Sequence, residues 1–115
     1  MNLKCNYRKL KKKDSESKII SVLNDCIING RRKFIICPFG ENGKLVKHIL
    51  NNHFSIHEYL ILDNNLNEQG CHKVSCLEKI NNRNVLVLLA VENRKVSDLL
   101  KDEIKKYGFE IRKIF

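Results

Sequence analysis

Phe34-Ile35-Ile36-Cys37, then Pro38-Phe39-Gly40-Glu41-Asn42-Gly43, then an amphipathic stretch, then Tyr59-Leu60-Ile61-Leu62 ending on Asp63: this run decides the fold. Its first four residues form a short apolar block bounded by proline and glycine, which reads as a strand. Leu45, Val46, Ile49 and Leu50 then recur at helical spacing, so a helix is expected from about Gly43 to Asn51. A second short apolar strand follows near Glu58 to Leu62. Strand, helix and strand make a βαβ unit. Two glycines stand at its first turn and an acid about 20 residues later, the layout of nucleotide-binding units.

Working outward, the spacing predicts a helix from Ser15 to Asn29. Ile19, Val22, Leu23, Cys26 and Ile27 form its buried face, Asp14 or Ser15 caps its start, and Gly30 suits the left-handed position after its end. Asn64 to Gly70 is polar and asparagine-rich, as in a loop, and a short helix is weakly signalled around Ser75 to Ile80. Val85-Leu86-Val87-Leu88-Leu89-Ala90-Val91 is apolar at consecutive positions, the pattern of a strand covered on both faces. Glu92-Asn93-Arg94 makes a turn. A helix to about Tyr107 places Val96, Leu99, Leu100 and Ile104 inward, Gly108 ends it, and Phe109 to Phe115 supplies a last strand.

Alternating strands and helices imply a parallel sheet. The expected fold is α/β: a three-layer Rossmann-like domain whose four-stranded parallel sheet has the order 2-1-3-4, with helices on both faces. Ligands of such sheets bind beyond the carboxyl ends of the strands, at the point where the strand order reverses. Cys37-Pro38, Asp63 and Val91-Glu92 fall at that edge.

The turn after the first strand has a defined chemistry. Unpaired N–H groups and the helix dipole at a helix N-terminus favour an anion, and glycines let the backbone approach it. Gly40 and Gly43 match the second and third glycines of G-x-G-x-x-G, while Pro38 stands in place of the first and has no N–H to offer. Glu41 repels a pyrophosphate, and Lys44 and Lys47 can offset it. Asp63 at the end of the second strand can accept ribose hydroxyls, or it can start a polar turn with Asn64 and Asn65. The glycines can bind phosphate or only let helix and strand pack. Glu92 and Asn93 can line the crevice or simply form the turn. Pro38, Phe39, Gly40, Gly43, Asp63, Glu92 and Asn93 are the candidate ligand-binding residues.

The chain has 115 residues, 43% hydrophobic and 30% charged, which suits one small domain. No apolar run approaches a bilayer span, and no apolar core follows the basic start as in a secretory signal, so a cytoplasmic location is expected. The net charge of +9 is uneven. Residues 1–13 hold Lys4, Arg8, Lys9, Lys11, Lys12 and Lys13 without an acid, and are expected as a flexible basic tail ahead of a single domain at 14–115. Five cysteines match no disulfide framework and are expected to be reduced. Cys71, His72 and Cys76 supply one loose pair, short of a zinc site, so no metal is expected. Cys37 lies where the helix N-terminus could lower its pKa, against the simpler reading of a buried, inert thiol. His48, His53, His57 and His72 have no nucleophile beside them in a motif.

Ile36-Cys37-Pro38-Phe39-Gly40-Glu41-Asn42-Gly43-Lys44-Leu45-Val46-Lys47 resembles the opening of small Rossmann-like modules of bacterial sugar and surface-polysaccharide enzymes. These are the N-terminal domains of nucleotide-sugar acetyltransferases and the segments accompanying FkbM-type methyltransferases. Val87 to Asn93 and Tyr107-Gly108-Phe109-Glu110 are similar to their later half, and the resemblance covers roughly residues 33–115. It implies a module that binds a nucleotide, a nucleotide-sugar or NAD(P), or an accessory domain working with a separate catalytic partner. Gly40, Gly43 and Asp63 are the ligand contacts it carries over.

Two functions from different classes therefore compete: a nucleotide or nucleotide-sugar binding module associated with sugar or surface-polysaccharide biosynthesis, and a non-catalytic structural or protein-interaction domain with a vestigial pocket, whose last strand can pair with another copy. Nucleic-acid binding through the basic tail is disfavoured, since neither a recognition helix nor an aromatic stacking platform accompanies it. No acid/base or nucleophile constellation marks an enzyme.

Overall fold

A computed structural model describes residues 3–65 and 70–115. The elements are α1 (Leu3–Ile28), β1 (Lys33–Cys37), α2 (Glu41–Asn52), β2 (Leu60–Leu62), β3 (Cys71–His72), a 3₁₀ helix (Val74–Lys79), β4 (Val85–Leu89), α3 (Arg94–Lys105) and β5 (Glu110–Lys113). All strands are parallel and form one sheet in the order β3-β2-β1-β4-β5. Among the described residues the expectation of four strands is thus corrected to five, and the order changes by one added edge strand. Its residues, Cys71 and His72, pair with Ile61 and Leu62. Two residues without an apolar run carry no strand period, so this strand left no mark in the sequence. The loop expected over Asn64 to Gly70 lies partly outside the described residues.

The sheet is buried on both faces because β1 and β4 are apolar at every position from Phe34 to Cys37 and from Val85 to Leu89. Alternate residues serve opposite layers. Phe34 and Ile36 of β1, with Leu86 and Leu88 of β4, pack against Ile19, Leu23 and Cys26 of α1 and Val46, Ile49 and Leu50 of α2. Ile35, Cys37, Val85, Val87 and Leu89 pack on the other side against Val74 and Leu77 of the 3₁₀ helix, Ile104 of α3 and Phe109. These are three layers of helix, sheet and helix.

The helix α1 begins at Leu3, not near Ser15, and no break in secondary structure falls between residues 13 and 14. Lysine, arginine and leucine are good helix formers, so the helix built on the Ile19–Leu23–Cys26 face can extend through the basic segment. The side chains of residues 1–12, and with them the expected mobility of the basic tail, lie outside the described residues. At its other end α1 closes as a Schellman motif: Gly30 has φ +86°, its N–H donates to Ile27 O, and Arg31 N–H donates to Cys26 O. Arg31–Glu110 (2.7 Å) and Arg112–Asp25 (3.2 Å) tie this end of α1 to the edge strand β5. Among the described residues, no helix is long and apolar enough to cross a membrane.

The inward face of α3 is corrected. Ser97 and Ile104 are buried and Leu100 is half-buried, whereas Val96 is 41% and Leu99 70% exposed. The buried stripe 97-100-104 is a helical spacing too. It uses a serine that the apolar pattern alone passes over.

Candidate functional site

The chain leaves β1 for β2 and β3 on one side, then crosses to β4 and β5 on the other. The reversal lies between β1 and β4, and clefts form at such points beyond the carboxyl ends of the strands. A cleft of about 560 Å³ opens there. Its walls are Pro38 to Glu41 and Lys44 from the turn and first residues of α2, Asp63 to Asn65 after β2, and Val96 and Leu100 of α3.

The turn is shaped by close packing. The Cys37–Pro38 peptide is cis, and Gly40 is the N-cap of α2 with ordinary extended backbone. A Cβ on Gly43 would fall on the Pro38 carbonyl oxygen, so only glycine lets the helix sit this close to the turn. A Cβ on Gly40 would meet nothing within 4 Å, because it would project into open space. The two glycines therefore do different things: Gly43 serves packing, and Gly40 leaves the backbone uncovered. The first N–H groups of α2 have no acceptor within the helix. The Nζ of Lys44 stands 5.7 Å from the Phe39 ring centroid beside them.

Asp63 is 7% exposed and meets the turn directly. Its Oδ2 accepts the Phe39 N–H at 2.9 Å, and its Oδ1 accepts the Asn65 N–H at 2.8 Å. The acid and the glycine turn share one cleft, yet each carboxylate oxygen already holds a backbone partner. Asn64 is also engaged: its Oδ1 accepts the Val74 N–H (2.9 Å), and its Nδ2 lies 3.3 Å from Glu103 Oε2.

Glu92 and Asn93 do not line this cleft, although Glu92 Oε1 accepts from Asn42 Nδ2 of α2 at 3.5 Å. Asn93 Oδ1 caps α3 by accepting the Val96 N–H at 3.1 Å. Glu92 lines a separate cleft of about 340 Å³ with Asp14, Ser15, Lys18 and Phe115. Sequence reasoning left out Asn64, Asn65, Val96 and Leu100 as cleft residues. The helical period gave Val96 and Leu100 a core role, and nothing in the sequence shows how far α3 stands from the turn.

Cys37 is buried, and burial pushes its thiol up to about 12, helped by the Asp63 and Glu103 carboxylates. The inert reading therefore stands, since a nucleophile needs the thiolate. Cys26 is buried like Cys37, Cys71 and Cys76 are half-buried, and no group of three or more potential metal ligands occurs among the described residues. His48, His53, His57 and His72 are exposed.

Compared with models of protein families, with curated proteins and with solved structures, the chain finds no match.

Proposed function

We propose that this chain is a Rossmann-like module that binds a nucleotide in the cleft between the turn at Pro38–Lys44 and the N-terminal part of α3. One observation carries the reading: the uncovered backbone at Gly40, the start of α2 and the carboxylate of Asp63 meet in one cleft at the reversal of strand order. The cleft's volume is within the range of small-molecule sites, and its walls combine apolar and polar groups as a base and sugar require. Phe39, Val96 and Leu100 offer apolar surface for a planar base, with Asn65 near a sugar. An association with sugar or surface-polysaccharide biosynthesis rests on the resemblance of residues 36–47 alone.

A second reading is favoured by Asp63. With both oxygens held by Phe39 and Asn65, the carboxylate can be a structural latch beside a vestigial pocket, in a domain that works through a partner or a second copy.

An amide NMR titration with adenine and uracil nucleotides, UDP-sugars, NAD, coenzyme A and S-adenosylmethionine tests the first reading. Shifts confined to residues 38–44, 63–65 and 96–100 are expected with nucleotides. Silence of all these amides at millimolar ligand would sink it. Light scattering that reports a stable dimer, together with that silence, would favour the second.

A further inference from the structure

The sheet ends at β5, and the register of β5 on β4 decides which of its backbone groups stay free. Val87 lies opposite Ile111 and Leu89 opposite Lys113, and the Ile114 N–H donates to Leu89 O at 3.1 Å. In a parallel ladder this phase turns the backbone groups of alternate residues, Glu110, Arg112 and Ile114, toward β4. The N–H and C=O of Ile111 and Lys113 point away from the sheet, and among the described residues no backbone partner meets them. Side chains alternate as well. Glu110 and Arg112 stand on the α1 face, where they pair with Arg31 at 2.7 Å and with Asp25 at 3.2 Å. Ile111 packs on the opposite face.

A free edge of this kind is a template for another strand, and charges along it limit which strand fits. A second copy fits this one. A two-fold axis sets β5 against β5 antiparallel, and the hydrogen-bonded positions must then match residues that point outward on both copies. The outward residues are alternate ones, so the axis falls on a residue and not between two. Centred on Glu110, Arg112 or Lys113, it sets a charge against its own copy. Centred on Ile111, it sets Ile111 against Ile111, with their N–H and C=O groups exchanged, and puts Glu110 of each copy opposite Arg112 of the other. Only this register is complementary. Asp25, Arg112, Glu110 of the second copy and Arg31 of the second copy then make one row of alternating sign on the α1 face. Glu110 and Arg112 are exposed, so the row fixes register more than strength.

We infer that β5 is a self-association edge. Two copies join antiparallel about Ile111 into one continuous sheet, and Glu110 and Arg112 set the register. This supplies a contact for the second-copy reading above and does not depend on what the cleft binds.

Sedimentation equilibrium from micromolar to millimolar protein, with amide hydrogen exchange, tests it. A concentration-dependent dimer is expected, and protection of the Ile111 amide should rise with the dimer fraction. Glu110→Arg alone and Arg112→Glu alone each bring like charges together at both ends of the pairing, and each should weaken association at least about tenfold. An equimolar mixture of the two variants restores opposite charges at both ends and should associate about as tightly as wild type. The mixture separates the edge from the contacts to α1, because each variant loses one of those contacts and neither regains it on mixing. Both side chains are exposed, so the variants should fold, and circular dichroism checks that they do. A monomer at millimolar protein, an Ile111 amide that exchanges alike at every concentration, single variants that dimerise like wild type, or a mixture no tighter than either variant alone overturns the proposal. None of these results touches the nucleotide titration, so the two readings fail separately.

Discussion

Asp63 Oδ2 accepts the Phe39 N–H at 2.9 Å, so the end of β2 fastens the turn that follows β1. The same carboxylate turns the chain onward by accepting the Asn65 N–H. Asp63 is 7% exposed, so solvent replaces neither partner easily when the side chain is cut back. Hydrogen bonds to charged groups contribute about 1.5–3 kcal/mol each. Asp63→Ala should therefore cost about 2–4 kcal/mol in urea unfolding with little change in slope. Asp63→Asn, which keeps one acceptor oxygen, should lose less. An Ala variant that unfolds at the wild-type midpoint would show that the latch does not hold the turn.

The two turn glycines should separate cleanly. Gly43→Ala puts a methyl group on the Pro38 carbonyl oxygen, a backbone atom that cannot swing away. The expected cost is about 2–4 kcal/mol, in the range of severe overpacking. Gly40→Ala meets nothing within 4 Å and needs no unusual backbone angle, so it should stay within about 1 kcal/mol of wild type. Thermal unfolding of the pair checks this. Under the nucleotide reading, Gly40→Ala should also weaken AMP binding, because its methyl group projects into the space a ligand needs.

These positions show what could be read before the fold was known. The short consecutive apolar runs of β1 and β4, bounded by turn residues, have the pattern of strands covered on both faces, so the three layers follow from the order of residues along the chain. The spacing of Gly40, Gly43 and Asp63 told that an acid would return to the glycine turn. It did not tell that the acid would bond Phe39, because that depends on how closely β2 ends beside β1. Asn93 has the same ambiguity: a residue that caps a helix and one that lines a crevice look alike in sequence, and here the cap holds it. The α3 face was misjudged at Leu99 for a related reason. An apolar period marks residues that could be buried, and only the sheet decides which stripe is.

Cys37 gives a prediction at alkaline pH. Its thiol is pushed from an ordinary 9.0 to about 12 by burial and then by the nearby carboxylates. The folded value is raised, so its contribution to stability is complete below about pH 9, where both states hold the proton. Above that, the unfolded chain releases the proton and the native state does not. Stability should then fall by up to about 1.4 kcal/mol per pH unit through the window from 9 to 12. Other groups titrate in this range, so the measurement is the difference between wild type and Cys37→Ala across it. The variant starts lower because of its cavity, and its curve should be flatter. Parallel curves would mean that the thiol ionises as easily folded as unfolded.

Glu58 works at the other end of the pH scale. Burial pushes its carboxyl up, but hydrogen bonds from Lys47, from Asn51 and from backbone outweigh that, and the net shift is downward from the ordinary 4.5. Lys47 Nζ lies 2.7 Å from Glu58 Oε2, and Asn51 Nδ2 lies 2.9 Å from Oε1, which joins α2 to the approach of β2. A lowered folded value means that this contribution is present above about pH 4.5 and fades as pH falls through the folded value. The stability gap between wild type and Glu58→Gln should therefore be widest near neutral pH and shrink on acidification below 4.5. Lys47→Met supplies the complementary test. With the ammonium gone, burial acts on Glu58 with less opposition, and its carboxyl should titrate higher when followed by NMR. A Glu58 that titrates at the same pH in both proteins would place the stabilising contact elsewhere on α2.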